Sequence, residues 1–515
     1  MLSVRRLLFP VPVSRPFSRT RNLLMDRFSR LCLWGSMACA FLSLALLSFD
    51  VFPWYEVPFM PPRPMYPLAC AGMLLFLISR RWYGHMREHR CLLLLWAALI
   101  GCSVLSTWLG LREVPHGIAP AVWLGLARWF IVPFCFLLWW AVMFSCLPVR
   151  CGKRLFQAAL LVLGLSNFAH IILEILANHG AAGIKDFLVS INPWFRMECI
   201  GHGWWPPPYF TDRVRGLFAE PSHMAFGLLP VLGLLLAKCA GNRLWLLGVA
   251  GWGLIMWQSK VLTGAVAFAL VCVMAGIPWY LTIWRRYSRK VFVLSCVLLL
   301  LAGAGCWTIL QPKFERFGAV AQETDSILHF LEDSHAGLSP QCPKLEGALE
   351  RNGSLGIRYV CTRLDMAAGL SRVLGTGFYL RGFYWQPLDA CSLERGSELR
   401  GFARQAGEDE LRRVPPLNEY SVLLAEFGVP GLLLFLGLCG MLLWRSVRFA
   451  VRNRDWYVYA MACVFLGMLG AFISTGLMNA LVFTFFAGYL YAVSGERAGA
   501  VDAPGGAQAP QQERG

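Results

Sequence analysis

The sequence predicts an all-α protein, a polytopic bundle of membrane-spanning helices with one large loop on the outer side of the membrane. Three observations lead to this prediction. Hydrophobic residues make up 57% of the 515 residues and charged residues only 15%, a balance outside that of ordinary soluble domains. Apolar runs long enough to cross a bilayer recur along nearly the whole chain. Basic residues collect in alternate connections between those runs, as they do in multi-pass membrane proteins.

Twelve stretches are predicted to span the membrane, although the second, seventh and last are short for a bilayer. They are 31–50, 66–79, 91–110, 121–147, 155–178, 217–237, 244–258, 261–284, 291–310, 420–444, 456–474 and 477–494. The predicted organisation is a basic N-terminal flank, a bundle of about nine spans, a large loop, a bundle of about three spans and a flexible tail, over 1–30, 31–310, 311–419, 420–494 and 495–515.

Lys and Arg residues set the predicted orientation, because they accumulate in cytoplasmic loops. Basic clusters lie in 80–90, 149–154, 285–290 and 445–455, whereas the short connection 111–120 carries a single arginine. Both termini are therefore predicted to be cytoplasmic and the large loop to lie outside. The net charge of +17 is then mainly a topology signal. Nucleic-acid binding explains it poorly, because the basic residues are spread over loops rather than gathered on one domain.

The first 24 residues contain five arginines and no acidic residue. We interpret them as a cytoplasmic flank of the first span. A transit peptide, or a chain that starts at Met25, is the alternative.

Two segments on the outer side are longer than the other connections, and function is expected there. One is 179–216 and the other is the large loop, 311–419. Within the large loop, 358–375 spaces its apolar residues at helical intervals and is predicted to form a helical cap on the membrane face.

Four cysteines fall in these outer segments: Cys199, Cys342, Cys361 and Cys391. An oxidising compartment permits disulfides among them. The sequence leaves the three possible connectivities open.

Several common motifs do not occur in the sequence. It contains no phosphate-binding loop of the form G-x-x-x-x-G-K-[ST], no C-x-x-C pair and no H-E-x-x-H. ATP-driven transport and zinc-dependent hydrolysis therefore lack their usual sequence support.

The stretch RVRGLFAEPSHMAF, residues 213–226, places Arg213, Arg215, Glu220 and His223 at the start of an apolar span. Ionisable groups inside a membrane cost free energy, so they are candidates for function. Arginine binds phosphate oxygens through two parallel hydrogen bonds and a carboxylate can accept a proton, which suits a diphosphate substrate and a hydroxyl to be activated. The alternative is structural, because a carboxylate in the first turn complements the helix dipole.

Other ionisable or polar candidates lie at or within predicted spans. Lys260 is either a second phosphate contact or a side chain that extends to the membrane interface. Asn418 is either a substrate contact or a helix cap. Glu426 is either a core carboxylate paired with an arginine or part of the site. His170 and Glu174, four residues apart, are interpreted as a polar pair inside the bundle.

Four segments together resemble the O-antigen polymerase and O-antigen ligase superfamily of bacterial membrane glycosyltransferases. RVRGLFAEPS (213–222) resembles the R-x-x-G-x-x-x-[NE]-P-[NS] element, and SKVLTGAVAF (259–268) resembles the span that begins with Ser and a basic residue. VLGTGFY (373–379) is similar to the loop signature, and NEYSVLLAEFGVPG (418–431) is similar to the N-x9-G-x2-G element. The resemblance covers about residues 200–480 and rests on the order of the segments around one large loop.

The resemblance implies a C-type glycosyltransferase fold and a polyprenyl-diphosphate-linked sugar donor, whose anomeric carbon is attacked by an acceptor hydroxyl. Arg213 corresponds to the arginine that binds the diphosphate, and Arg215 and Lys260 are further contacts. In the large loop, Arg358 and Arg372 are candidates to reach the diphosphate. The sequence has no D-x-D motif, which agrees with the metal-independent chemistry implied by the resemblance. No cofactor is expected.

The general base is not fixed by the resemblance. Ligases of this superfamily typically carry a histidine directly before the asparagine of the N-x9-G-x2-G element, where this chain has Leu417. This difference weakens the ligase interpretation. Glu220 is the first candidate for the base, Glu426 is the second, and His223 completes the set of catalytic candidates.

The function predicted from the sequence is that of a polymerase, which joins polyprenyl-diphosphate-linked repeat units of an O-antigen or exopolysaccharide at the outer leaflet of the bacterial inner membrane. Its expected partners are the donor lipid, the growing polysaccharide as acceptor, membrane lipids, and a chain-length regulator and a flippase. A ligase that transfers to lipid A core or to protein is the first alternative. A polysaccharide flippase or transporter is the second, although carriers with twelve spans usually show paired halves.

The orientation predicts the labelling of engineered cysteines. A thiol reagent that does not cross the inner membrane is expected to label a cysteine placed at Ser339 in spheroplasts and to miss one placed at Tyr287. The reverse pattern would contradict the orientation and place every candidate site on the other side of the membrane.

Overall fold

The structure, a computed structural model, describes residues 17–49, 63–114, 116–195, 213–239, 241–286, 318–343, 347–348, 353–390, 417–473 and 481–495. These residues form helices and their connections, and no strand occurs among them. The all-α class predicted from the sequence is confirmed.

The principal helices are numbered here in chain order. They are α1 (Phe17–Ala45), α2 (Met65–Ser79), α3 (Arg90–Gly110), α4 (Ala119–Ser145), α5 (Val149–Asn178), α6 (Ala182–Phe195), α7 (Pro221–Cys239), α8 (Trp245–Ser259), α9 (Leu262–Arg286), α10 (318–335), α11 (Gly353–Leu370), α12 (Glu419–Asn453), α13 (Trp456–Ala471) and α14 (Leu481–Val493).

Six helices in the described residues are long and apolar enough to cross a membrane: part of α1, and α3, α4, α5, α7 and α12. Shorter apolar helices include α2, α13 and α14. The chain is therefore a multi-pass membrane protein. The predicted ninth span (291–310), the start of the N-terminal flank and the C-terminal tail beyond residue 495 lie outside the described residues, so the number of twelve spans stays a prediction.

Helix α14 is enclosed by the other helices. Its tightest neighbour is α4, where a Cβ atom on Gly488 would lie 2.5 Å from the carbonyl oxygen of Leu137. The rings of Trp140 and Phe485 stack with centroids 4.9 Å apart, and Tyr489 stacks on Phe156 of α5 at 3.6 Å. Nearly every side chain of α14 is buried, and aromatic packing of this kind contributes stability beyond the area that it buries.

In the described part of the large loop, α10 and α11 pack around a small apolar core of their own. Its members include Val320, Ile327, Leu331, Val360, Leu364 and Trp385. We call α10, α11 and the residues up to 390 the cap. The helix predicted over 358–375 is present, but it runs from Gly353 to Leu370.

The two described cysteines of the cap differ in oxidation state. Cys342 is disulfide-bonded, whereas Cys361 is buried in the cap core as a thiol. Cys199 and Cys391, the other two cysteines of the predicted outer segments, lie outside the described residues.

Helix α12 is interrupted at Gly428. This residue has φ +68° and ψ −171°, a conformation that is essentially restricted to glycine. Two residues later, Pro430 has no backbone N–H to donate. The carbonyl groups of Ala425 and Glu426 therefore lose the donors that a continuous helix would give them, and a buried carbonyl without a donor is costly.

The loop after α11 supplies the missing donors. The backbone N–H of Thr376 donates to the Ala425 carbonyl at 2.7 Å, and that of Gly377 donates to the Glu426 carbonyl at 2.9 Å. Both donors belong to the segment 373–379, which was singled out in the sequence. This segment therefore completes the backbone hydrogen bonding of α12 across the break.

The loop after α11 packs so closely against α3 and α12 that their backbones are in direct contact. A Cβ atom on Gly428 would lie 2.1 Å from the carbonyl oxygen of Val373, and one on Gly110, at the end of α3, would lie 1.9 Å from that of Thr376. Ser106 of α3 also donates its hydroxyl to the carbonyl of Glu426. These contacts attach the cap to both α3 and α12.

Several contacts gather the predicted outer segments at one end of the bundle, here called the loop end. The ring of Phe226 in α7 lies 5.3 Å from that of Phe472, whose carbonyl accepts the N–H of Glu419 at 2.9 Å. A Cβ atom on Gly264 of α9 would lie 2.6 Å from the Cβ atom of Ala225. The starts of α7, α9 and α12 and the end of α13 therefore share the loop end with the cap.

The break in α12 gives a prediction about stability. Gly428→Ala is expected to lower the thermal unfolding temperature by several degrees, because the strained backbone and the clash with the Val373 carbonyl together cost about 2 kcal/mol or more. Tryptophan fluorescence of the protein in detergent measures this change. Gly437→Ala is the matched control, since this glycine lies on the exposed face of the same helix with no atom within 4 Å of an added Cβ. Equal unfolding temperatures for the two variants would contradict the role given to the break.

Candidate functional site

The non-helical turn that precedes α7 is held by side chains of α5. The backbone N–H groups of Arg215 and Gly216 donate to Oε2 of Glu174 at 3.0 and 2.8 Å. The N–H of Leu217 donates to Oδ1 of Asn167 at 3.0 Å. Asn167 and Glu174 lie two helical turns apart on one face of α5, so a rigid helix fixes three consecutive backbone amides of the turn.

The glycine of the R-x-x-G element is required by this arrangement. Gly216 has φ +60°, a conformation that other residues rarely adopt. A Cβ atom at this position would also lie 2.8 Å from Oδ1 of Asn167. The sequence pattern therefore reflects the way in which the turn packs against α5.

Arg215 points into the protein and is only 1% exposed. Its guanidinium group donates to the Ala219 carbonyl at 3.2 Å and to Oδ1 of Asn192, in α6, at 3.3 Å, and its Nε lies 3.7 Å from Oε1 of Glu174. Arg215 therefore balances the buried charge of Glu174. His170 also lies beside this carboxylate, with Nδ1 3.8 Å from Oε2, so the polar pair predicted inside the bundle includes Arg215 as a third member.

The other ionisable residues of 213–226 lie at the surface of the loop end. Arg213 is exposed, and the side chain of Glu220 is 40% exposed. Ser222 donates its hydroxyl to Oε2 of Glu220 at 2.9 Å, and Nε2 of His223 lies 4.0 Å from the same oxygen. Although Glu220 occupies the N-cap position of α7, its carboxylate makes no capping hydrogen bond. It is an accessible carboxylate with an imidazole beside it, which is a chemically suitable general base.

Lys260 lies at the same end of the bundle. It terminates α8 in the left-handed conformation, with φ +54°, and its side chain is exposed. Because Gly264 packs against Ala225, the turn that contains Lys260 lies near the level of the first turn of α7. Lys260 therefore lies at the loop end, as Arg213 and Glu220 do.

Glu426 has the opposite environment to Glu220. It is buried, and its Oε1 accepts the N–H of Tyr379 at 3.2 Å and lies 3.6 Å from Nε of Arg381. Arg381 also donates to Oδ2 of Asp365 at 2.6 Å. Of the two alternatives left open by the sequence, the geometry favours the core carboxylate paired with an arginine. Burial raises the pKa of Asp365, and the neighbouring Arg381 opposes that rise.

Asn418 is a helix cap. Its Oδ1 accepts the N–H groups of Tyr420 and Ser421 at 3.1 and 3.4 Å, which satisfies the first turn of α12. Its Nδ2 donates to the hydroxyl of Thr362 at 3.3 Å, so the same side chain ties α12 to the cap. The preceding Leu417 packs against the apolar core of the cap.

The two arginines predicted in the large loop lie in different surroundings. Arg358 is half-buried within α11. Arg372 lies after the end of α11, is exposed, and forms an ion pair with Glu113 in the loop that follows α3. The candidates thus fall into two groups. Arg213, Arg215, Glu220, His223 and Lys260 lie at the starts of α7 and α9, with Arg215 buried, and Arg358, Arg372, Asn418 and Glu426 lie in the cap or where it meets α12.

Sequence analysis missed Arg381, the charged partner of Glu426, and Asp365, the second carboxylate that Arg381 contacts. A signal was present, because Arg381 follows the segment 373–379 closely and stands alone in the apolar run FYLRGFYW. It also missed Asn192, since a polar residue in a long connection is not unusual. What makes these residues important is the carboxylate or arginine that each contacts, and those partners are distant in the sequence.

In the part of the chain that the structure describes, no group of three or more His, Cys, Asp or Glu side chains is placed to hold a metal ion. Comparison of the sequence with known proteins finds no matching family model and no matching curated protein.

The environments of the two neighbouring arginines predict a large effect on stability for Arg215 and a small one for Arg213. Arg215→Met is expected to destabilise the protein by about 3–5 kcal/mol, because it leaves the carboxylate of Glu174 buried without a balancing cation. Arg213→Met is the matched control and is expected to change stability little, because the side chain is exposed. Thermal unfolding in detergent measures both. Adding Glu174→Gln should recover part of the loss, since the two residues act as a pair, and simple additivity would contradict the pairing.

Proposed function

We propose that this protein is a membrane glycosyltransferase of the O-antigen polymerase and ligase type, and that it acts as a polysaccharide polymerase. The observation that carries the proposal is the accessible carboxylate of Glu220. It lies beside His223 and close in sequence to Arg213, on a turn whose backbone is fixed by Glu174 and Asn167. A rigid turn at the mouth of a membrane bundle is suited to hold a reacting group in place.

The proposed reaction transfers a sugar chain from a polyprenyl diphosphate to an acceptor hydroxyl. The hydroxyl oxygen attacks the anomeric carbon of the donor, and Glu220 accepts the hydroxyl proton. The bond between that carbon and the diphosphate oxygen breaks, and the diphosphate leaves with the bonding electrons. Arg213 would neutralise the leaving group through its planar guanidinium, and Lys260 would add a second positive charge from the neighbouring turn.

The environments of the remaining candidates refine their proposed roles. Arg215 is proposed to position the turn rather than to touch the substrate, because its guanidinium group is engaged inside the protein. Glu426 is proposed to hold the cap, which leaves Glu220 as the general base. Arg358 and Arg372 remain candidates for contact with the diphosphate from the cap, and Asn418 acts as a cap of α12.

The proposed location is the bacterial inner membrane, with both termini cytoplasmic and the loop end facing the periplasm. The disulfide-bonded state of Cys342 supports this orientation, since disulfides persist in oxidising compartments. The donor lipid would then reach the site in the outer leaflet. The expected acceptor is the growing polysaccharide, and a chain-length regulator and a flippase are the expected protein partners.

The proposed chemistry is tested by substitution of its two central residues. Glu220→Gln is expected to lower activity by about 10²–10⁴-fold, the usual contribution of a general base. Arg213→Ala should cost about 2–4 kcal/mol of transition-state stabilisation, and Arg213→Lys should recover little of it because an ammonium group lacks the planar fork. Restoration of surface polysaccharide in a deletion strain measures activity, at matched protein levels in the membrane.

Arg243→Ala is the matched control for these substitutions, because Arg243 is an exposed arginine in the connection between α7 and α8, beyond the far end of α7 from the site. It should retain full activity. Wild-type activity in Glu220→Gln or Arg213→Ala would refute the assignment of that residue.

The deletion strain itself distinguishes the proposed polymerase from the alternatives. Loss of a polymerase stops elongation, so single repeat units capped on lipid or core and no long chains are expected. Loss of a ligase, which acts later, would leave long chains attached to polyprenyl diphosphate. Gel separation of surface and lipid-linked glycans decides between these outcomes. Repeat units that accumulate on the cytoplasmic leaflet, together with an unchanged ladder, would indicate a flippase.

A further inference from the structure

The side chains of α12 are mostly buried before its break, and an exposed apolar face begins after it. From Glu419 to Gly428 the helix is covered by the cap and its neighbours, and most of its side chains are buried. Beyond the break, exposed apolar side chains follow one another at helical spacing, at Val429, Leu433 and Leu436. In a multi-pass membrane protein, a regular exposed apolar face of this kind contacts lipid.

The length of this face fixes the level of the membrane boundary. From Val429 to Arg448 the helix rises about 29 Å, close to the ~30 Å thickness of a bilayer hydrocarbon core. Arg448 is exposed, and basic residues commonly mark the boundary of a span. Val429 therefore lies near the membrane boundary on the loop-end side.

The exposed apolar surface continues from α12 onto the cap. The Val373 carbonyl packs directly against Gly428, next to Val429. Val373 is 75% exposed and Leu370, in the last turn of α11, is 65% exposed. Met366, one turn earlier in α11, is also exposed and extends the same apolar stripe. A stripe of this kind on a water-facing helix would be unfavourable, and it indicates an interaction surface.

Residues typical of a membrane interface lie at the same level as the residues that follow α11. Trp108, in the last turn of α3, is exposed, and the guanidinium carbon of Arg112 lies 3.6 Å from the centre of its ring. Trp and Arg with this arrangement are common at the level of lipid headgroups. Because Gly110 touches Thr376, the end of α3 and the segment after α11 lie at the same level.

We propose that the C-terminal end of α11 and the residues that follow it are seated in the bilayer interface, with Leu370 and Val373 in contact with phospholipid acyl chains. The occupant is the bilayer because the stripe is continuous with the lipid-facing side of α12. Two turns before Leu370, on the same face of α11, Arg363 forms an exposed ion pair with Asp325 of α10, so the face changes from apolar to charged with distance from α12. This proposal does not depend on the enzymatic function.

Photo-cross-linking in phospholipid nanodiscs tests the proposal. In one variant of the full-length protein, p-benzoylphenylalanine replaces Leu370, and in a second variant it replaces Val373. Cross-linked adducts are identified by mass spectrometry. Leu433 is the lipid-facing control and Asp325 is the water-facing control. Phospholipid adducts are expected at positions 370, 373 and 433, with at least tenfold less at 325. Two positions are used so that a folding defect at one, detected by thermal unfolding, leaves the other informative.

Two outcomes would overturn the proposal. If position 433 forms phospholipid adducts while 370 and 373 behave like 325, the end of α11 stands in water above the membrane. If 370 and 373 instead capture protein in native membranes, the stripe is a protein interface. Loss of enzymatic activity in other variants would not affect either result, so failure of the proposed function is distinguishable from failure of this inference.

Discussion

Two buried carboxylates fasten the non-helical segments of this protein to its helix bundle, and the arrangement of the loop end depends on them. Glu174 binds two backbone amides of the turn before α7 and is balanced by Arg215. Glu426 binds the amide of Tyr379 in the cap and is balanced by Arg381. In surroundings where water is scarce, backbone groups outside helices need internal partners. A carboxylate can satisfy several amides at once, provided that an arginine compensates its charge.

The need for internal hydrogen-bond partners also explains how the break in α12 is accommodated. Gly428 and Pro430 free two carbonyl groups of α12, and the segment 373–379 meets them with its own N–H groups. Glycines on both sides allow the backbones to approach without side chains between them. The cap is thus attached through main-chain hydrogen bonds as well as through Glu426. Such an attachment fixes its position more firmly than contacts between flexible side chains on the surface would.

These attachments separate the residues that hold the structure from those that remain available for chemistry. Arg215 and Glu426 are buried inside the protein, whereas Glu220, His223, Arg213 and Lys260 lie at the loop end. The proposed seating of α11 in the bilayer interface would place the loop end beside the headgroups of one leaflet. If the proposed function holds, a substrate held in the membrane by a long lipid chain would present its diphosphate near the level of the exposed Arg213. Depth in the membrane, as well as side-chain chemistry, would contribute to specificity.

The sequence by itself determined the helical class and the multi-pass character, because hydropathy over some twenty residues is a local property that the bilayer selects directly. It also located the segments that form the loop end, since R-x-x-G, GTG and GVPG each mark a place where the backbone is not helical. It did not distinguish the roles of Arg213 and Arg215, or of Glu220 and Glu426. Only the tertiary structure decided those, because burial depends on partners such as Glu174 and Arg381 that are distant in the chain. Hydropathy also could not show that α14 is buried among the other helices, since lipid and protein interior are both apolar and select the same residues.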